Sequence, residues 1–104
     1  MAKTKDIVGM ILEIVAEETE INSIRILSGE RSTEVVDARH IVVILLAKIG
    51  VYTSRIASSM NMTSRNVQYI ITTFDNRISC NKPLRNTYER IKKTLRNSLE
   101  ISSL

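Results

Sequence analysis

The sequence predicts an all-α fold, one compact domain of about six helices with a helix-turn-helix inside it. Three observations carry that prediction. Apolar residues recur at helical spacing through most of the 104 residues. Asparagine, threonine, glycine and proline stand where helices begin and end. The stretch from Thr53 to Ile78 divides into a short helix, a tight polar turn and a longer helix, each helix with an apolar stripe on one side.

The first helix is expected from about Lys5 to Thr19. Ile7, Ile11, Ile14 and Val15 follow the i, i+4, i+7, i+8 pattern, Val8 and Leu12 widen the stripe, and the acids face outward. A short second helix, about Asn22 to Leu27, has Asn22 as N-cap and Ser28-Gly29 as its end, the glycine taking left-handed geometry. Glu30 to Val36 reads as a loop of mixed charge. The third helix, about Ala38 to Ile49, takes Asp37 as N-cap and Gly50 as stop. It is apolar on every side from Ile41 to Leu46, which marks a helix buried all round. The β-branched run Val42-Val43-Ile44 would also suit a strand, but the twelve-residue length and the helix ends decide for helix.

In the fourth helix Thr53 is the expected cap, and Ile56, Ala57 and Met60 seat it on the core. Asn61-Met62-Thr63 makes the turn. Thr63 caps the fifth helix, which Val67, Ile70, Ile71 and Phe74 hold against the core. Ser79 to Pro83 reads as a break, with Pro83 suited to the first turn of a last helix over about Leu84 to Leu99. That helix is expected to bury Leu84, Tyr88, Ile91, Leu95 and Leu99. Its other face carries Arg85, Arg90, Lys92, Lys93 and Arg96.

Composition agrees with one folded helical domain. Apolar residues are 43% and charged residues 25%, a balance that argues against intrinsic disorder. The longest apolar run, Ile41 to Ala47, is too short to span a bilayer, and no signal peptide precedes it, so a cytoplasmic protein is expected. Cys80, the single cysteine, cannot close an internal disulfide and reads as a loop or partly buried thiol.

Charge is distributed unevenly. Residues 1–30 carry three Lys or Arg against six acids, whereas residues 31–104 carry twelve against five. The whole helix-turn-helix lies in the basic part. A positive surface attracts the phosphate backbone without reading its sequence, and a solvated basic surface accounts for the same numbers. Enzymatic chemistry finds no constellation. His40 is the only histidine and Cys80 the only cysteine, and the three glycines are scattered. No metal or cofactor is expected.

The candidate site is the outer face of the fifth helix together with two helix starts. At 100° per residue, Arg65, Tyr69, Thr72 and Asn76 lie opposite the apolar stripe. Arg65, near the start of the helix, is placed for guanine O6 and N7 or for a phosphate, and Asn66 and Gln68 flank it with amide groups able to bond base edges. Tyr69 is an aromatic on a wet face, where DNA, a protein partner or the last helix would explain it. Thr53-Ser54-Arg55 and Thr63-Ser64-Arg65 each put hydroxyls and an arginine at a helix N-terminus, where free N–H groups favour phosphates.

Ile14-Val15-Ala16-Glu17, Ile24-Arg25-Ile26-Leu27-Ser28, Arg31-Ser32 and Ala38-Arg39-His40-Ile41 follow one another in the first half of the chain. Ala47-Lys48-Ile49, Ile56-Ala57 and Val67 complete the series. In this order the chain resembles the C-terminal DNA-binding domain of the bacterial replication initiator DnaA over roughly Asp6 to Leu95. The resemblance implies a Trp-repressor-like helical fold and binding to double-stranded DNA. It implies a minor-groove role for Arg31 and an approach of Arg39 and His40 to the DNA backbone. It also places Thr63, Ser64, Arg65 and Asn66 at the positions that read major-groove bases. The family's Gly-Gly-Arg-Asp-His-Thr-Thr signature is replaced here by Asn61 to Asn66, and Glu30, Glu34 and Asp37 dilute the basic loop.

Two readings follow. In the first, a stand-alone helix-turn-helix protein, without the initiator's ATPase domain, binds duplex DNA in replication initiation or transcription control. Oligomeric state and target sequence are left open. In the second, a helical interaction module keeps the fold and docks a replication or regulatory protein, with the acidic first helix and Tyr69 as its supports.

Overall fold

A computed structural model describes the backbone of residues 4–99 and the side chains of residues 7–98. Its elements are α1 (Thr4–Thr19), α2 (Ser23–Leu27), α3 (Thr33–Ile49), α4 (Thr53–Met60), α5 (Ser64–Cys80) and α6 (Lys82–Leu99), with no strand among the described residues. The all-α class and the helix count are therefore as the periodicity predicts.

Helix α3 is the hub. Ile41 through Leu46 are all buried, so six consecutive side chains point in every direction around the helix and each meets protein. The other five helices all pack on α3, while α1 also packs on α6 and α4 on α5. The core closes through Ile11 and Val15 of α1, Ile26 of α2, Ile56 and Met60 of α4, Phe74 of α5, and Ile91 and Leu95 of α6. Phe74 meets Tyr88 edge-on, 5.0 Å between ring centroids, which fixes α5 against α6. The side chain of Leu99 lies outside the described residues.

Several boundaries differ from expectation, each for a local reason. α3 begins at Thr33, five residues before the expected start, because Val35 is fully buried and continues the apolar stripe of Ala38 and Val42 backwards. Ser32, not Asp37, is its N-cap, and the Ser32 hydroxyl donates to Glu30 (2.7 Å) instead of capping the helix. Asp37 is spent on an ion pair with α5. Gly29 is not left-handed. α2 ends in extended backbone at Ser28, whose N–H and hydroxyl both donate to the Arg25 carbonyl. Left-handed backbone occurs instead at Glu20 (φ 57°), just past α1, and at Gly50 (φ 105°), where glycine ends α3 as expected.

Thr53 is the first residue of α4 and not its cap, which is Tyr52. The break before the last helix is one residue, Asn81, whose side-chain carbonyl accepts from the Leu84 N–H and so starts α6 at once. The outward acids of α1 include an exception. Glu18 is half-buried, bonded by Arg90 (2.8 Å) and by the Thr94 hydroxyl (3.1 Å) of α6.

Candidate nucleic-acid interface

The unit α4–turn–α5 is built from three local devices. Asn61 turns the chain with left-handed backbone (φ 55°, ψ 44°), a conformation asparagine tolerates better than most residues. The Met62 N–H donates to the Ala57 carbonyl (2.9 Å), and the Met62 side chain packs on the core, so the turn is anchored from inside as well as polar outside. Thr63 then caps α5, its Oγ1 accepting from the Asn66 N–H at 3.1 Å. Ile56, Ala57 and Met60 of α4 and Val67, Ile70 and Phe74 of α5 are buried, and these anchors determine which faces are left outside.

That outer surface matches the projection. Ser64, Arg65, Asn66, Gln68, Tyr69 and Thr72 are all exposed, Tyr69 at 66%. Arg65 makes no hydrogen bond or ion pair within the described residues. The Thr72 hydroxyl is turned back onto the Gln68 and Tyr69 carbonyls (both 3.1 Å), so the helix satisfies it internally. At the start of α4, Ser54 and Arg55 are exposed and Thr53 is half-buried. No side chain caps that helix, and the first bonds to the Tyr52 carbonyl come from Arg55 and Ile56. The leading N–H groups of α4 therefore have no hydrogen-bond partner among the described residues. Tyr52, exposed at 78%, stands at the same end. Sequence reasoning passed over it because a tyrosine at an N-cap has no propensity signal.

The segment between α2 and α3 is not a free basic loop. Arg39, reaching from α3, donates to three carbonyls: Ile26 (2.9 Å), Ser28 (2.5 Å) and Glu30 (3.0 Å). These include the unsatisfied C-terminal end of α2, where a cation is favoured. The Glu30 carboxylate takes Arg25 and the Ser32 hydroxyl, and these bonds hold it down to a pKa of about 2. Within this knot Arg31 is exposed and unbonded among the described residues. Arg39, expected at the DNA backbone, uses its Nε and Nη2 as a clamp on the loop that carries Arg31, while its Nη1 makes no hydrogen bond among the described residues.

His40 departs too. It is half-buried between α3 and α5, with its Nδ1 accepting from Arg77 Nη1 (2.5 Å), while Arg77 Nη2 bonds Asp37 (2.5 Å). Burial, then the neighbouring Arg77 charge, lowers its pKa to about 4, so the ring is neutral with its proton on Nε2. An uncharged, internally bonded imidazole is a poor phosphate ligand. The Arg77 tie also sets the register of the surface. It joins the last turns of α5 to the first turns of α3, just after Arg31, whereas Arg65 is twelve residues, about 18 Å, back towards the start of α5. Arg31 and Arg65 therefore occupy opposite ends of the α3–α5 pair.

A groove of about 460 Å³ runs between the end of α1, the start of α3 and the first turns of α6, away from Arg65. Of its four charged side chains Glu18, Asp37 and Arg90 are already paired, and Glu34 has no ion pair among the described residues. Among the described residues no three His, Cys, Asp or Glu side chains gather as a metal site, and no helix is long and apolar enough to cross a membrane. The chain matches no known protein family, no curated protein and no solved structure.

Proposed function

We propose that this protein binds double-stranded DNA, with α4 and the turn setting α5 into the major groove. One observation carries the reading. A helix, a three-residue turn and a second helix bury their anchors and leave Arg65, Asn66, Gln68 and Tyr69 together on the outer side of the first two turns of α5. Arg65 supplies a bidentate contact to guanine, and Asn66 and Gln68 supply amide contacts to neighbouring bases. Thr63, Ser64 and the Thr53-Ser54-Arg55 start of α4 hold phosphates. Arg31 enters a neighbouring groove. Its place near the opposite end of the α3–α5 pair suits a partner whose adjacent grooves are separated by roughly half of a 34–36 Å turn. The protein acts inside the cell, in replication initiation or transcription control, as the likeness to the initiator's DNA-binding domain implies.

The test is selection of bound duplexes from a randomised pool, followed by anisotropy titrations at rising salt. An enriched motif whose binding persists at moderate salt, and whose preference collapses in Arg65→Ala, is the expected result. Weak binding that disappears with salt and enriches nothing rejects it. In that case the second reading stands, a protein-docking module. Its supporting observation is the pair of exposed aromatics Tyr52 and Tyr69, together with the withdrawal of Arg39 and His40 into internal bonds. It requires a stable complex with a regulatory protein that Tyr69→Ala abolishes and DNA does not affect.

A further inference from the structure

We infer that the groove between the end of α1, the start of α3 and the first turns of α6 binds a small organic cation, a primary amine carried on an apolar body. The inference stands apart from the α5 face and does not depend on how that face is used.

The floor of the groove is apolar and already ordered. Ile21, Ala38, Ile41 and Leu84 line it and are each more than nine-tenths buried, so an apolar body would meet side chains that the core holds in place. The volume, about 460 Å³, lies within the range of roughly 300–1,000 Å³ usual for small-molecule sites.

The wall is acidic. Glu18, Glu34 and Asp37 line the groove against one cation, Arg90. Arg90 is engaged by its own acid, donating from Nε to the Glu18 carboxylate and from Nη2 to the Glu18 carbonyl. Asp37 accepts from Arg77 through Oδ1 only, which leaves Oδ2 without a hydrogen bond among the described residues. Glu34 is exposed and has no ion pair among them. Residues three apart on a helix are neighbours, with Cβ atoms about 5–6 Å apart, so these two carboxylates stand side by side with acceptor capacity to spare. Thr87 faces the same groove from α6, and its hydroxyl makes no hydrogen bond among the described residues. An ammonium has three N–H donors and no acceptor. Two carboxylates and a hydroxyl above an apolar floor are its complement.

Other occupants fit less well. A phosphate would meet like charge on the wall. A metal ion lacks its ligand set, because no three His, Cys, Asp or Glu side chains gather among the described residues. A protein partner would want large apolar anchors at the rim. Met10, Ile24, Tyr52 and Tyr69 are the large apolar side chains exposed among the described residues, and none of them lines the groove.

The test is a heteronuclear NMR titration of the full chain with phenethylammonium chloride and, in parallel, with sodium 3-phenylpropionate, which carries the same ring on a carboxylate. The cation should give saturable shifts at the amides of Thr33 to Ala38 and of Leu84 to Thr87, and the anion should bind about ten-fold or more weakly. Glu34→Gln should weaken the cation about ten-fold, the loss of one charged hydrogen bond. Its thermal midpoint should stay near wild type, because the side chain is exposed. Thr87→Leu, which fills the groove and removes a hydroxyl, should abolish the shifts, whereas Thr87→Ser should keep them. Equal affinity for cation and anion, or unchanged binding in Glu34→Gln, overturns the proposal. So does an absence of saturable shifts at these two segments. Shifts of the same amides by calcium chloride, duplex DNA or a lysine-rich peptide, without shifts by the amine, overturn it in favour of that occupant.

Discussion

Arginines with similar positions in the chain have different work in the fold. Arg65 is free and exposed, Arg39 is bonded to three carbonyls through Nε and Nη2, and Arg77 is tied to Asp37 and His40. Substituting each should therefore give a different result. Arg65→Ala should leave the thermal midpoint near wild type and cost about 1–3 kcal/mol of discrimination at one base pair, read from competition between the selected site and its point variants. Arg39→Ala should instead lower stability by about 1–3 kcal/mol, since three carbonyls lose a charged donor. Its DNA affinity should fall only through a loosened Arg31, and Arg39→Lys should recover little because an ammonium cannot span the same carbonyls. Chemical denaturation of the three variants beside DNA titrations separates these outcomes. His40 adds a pH dependence. Its native pKa, about 4, lies below the ordinary 6.5, so the unfolded chain binds a proton that the native chain refuses. Stability should be fully present above about pH 6.5 and fall as pH drops towards 4, with Asp37, Arg39 and Arg77 as the charges facing the ring. A His40→Asn variant that keeps the same slope across that window would show the slope to come from elsewhere.

At the scale of elements, the helix ends decide the surface. Thr63 caps α5 and Asn61 turns into it, so the direction of Arg65 depends on both. Thr63→Ala should cost about 1 kcal/mol and, on the proposed reading of the first turn of α5 as the base-contacting segment, weaken specific DNA binding more than non-specific binding. Glu20 is a side-chain-bearing residue in left-handed backbone with its side chain in solvent. Glu20→Gly should therefore raise the melting temperature, by up to about 1 kcal/mol of relieved strain. Equal or lower stability in that variant would show that the Glu20 backbone is not strained. The misplaced start of α3 has two causes. Asp37 looks like a cap because capping propensity is local, but its carboxylate meets Arg77, forty residues away. Val35 was legible as the missing first turn of α3, since it lies three residues before Ala38 and seven before Val42 on one stripe. The surrounding charges masked it.

At the scale of the molecule, α3 is both the core and the frame that spaces the exposed cations Arg31 and Arg65. Its N-terminal end carries the Arg39-clamped loop that presents Arg31, and its C-terminal end delivers α4 through Gly50. Leu46→Ala, at a fully buried position, should cost about 2–5 kcal/mol and reduce every binding function together, which calorimetry with the DNA titration would register as parallel losses. Charge is arranged on the same scale. The acidic α1 absorbs part of α6 through Glu18, and the exposed cations without an ion pair among the described residues are spread over the α2–α3 segment, α3, α4, α5 and α6.

The sequence by itself determined the all-α class, the six helices, the burial of Ile41–Leu46 and the outward direction of Arg65, Gln68 and Tyr69. All of these follow from periodicity and short-range capping, which act within a few residues. Only the tertiary structure decided that Arg39 and His40 are internal, that Asp37 belongs to Arg77, and that Arg31 and Arg65 stand at opposite ends of the α3–α5 pair. A charged side chain reads the same in the sequence whether it meets water, a phosphate or a carbonyl. Which partner it takes is set by chain segments that folding brings together from far apart.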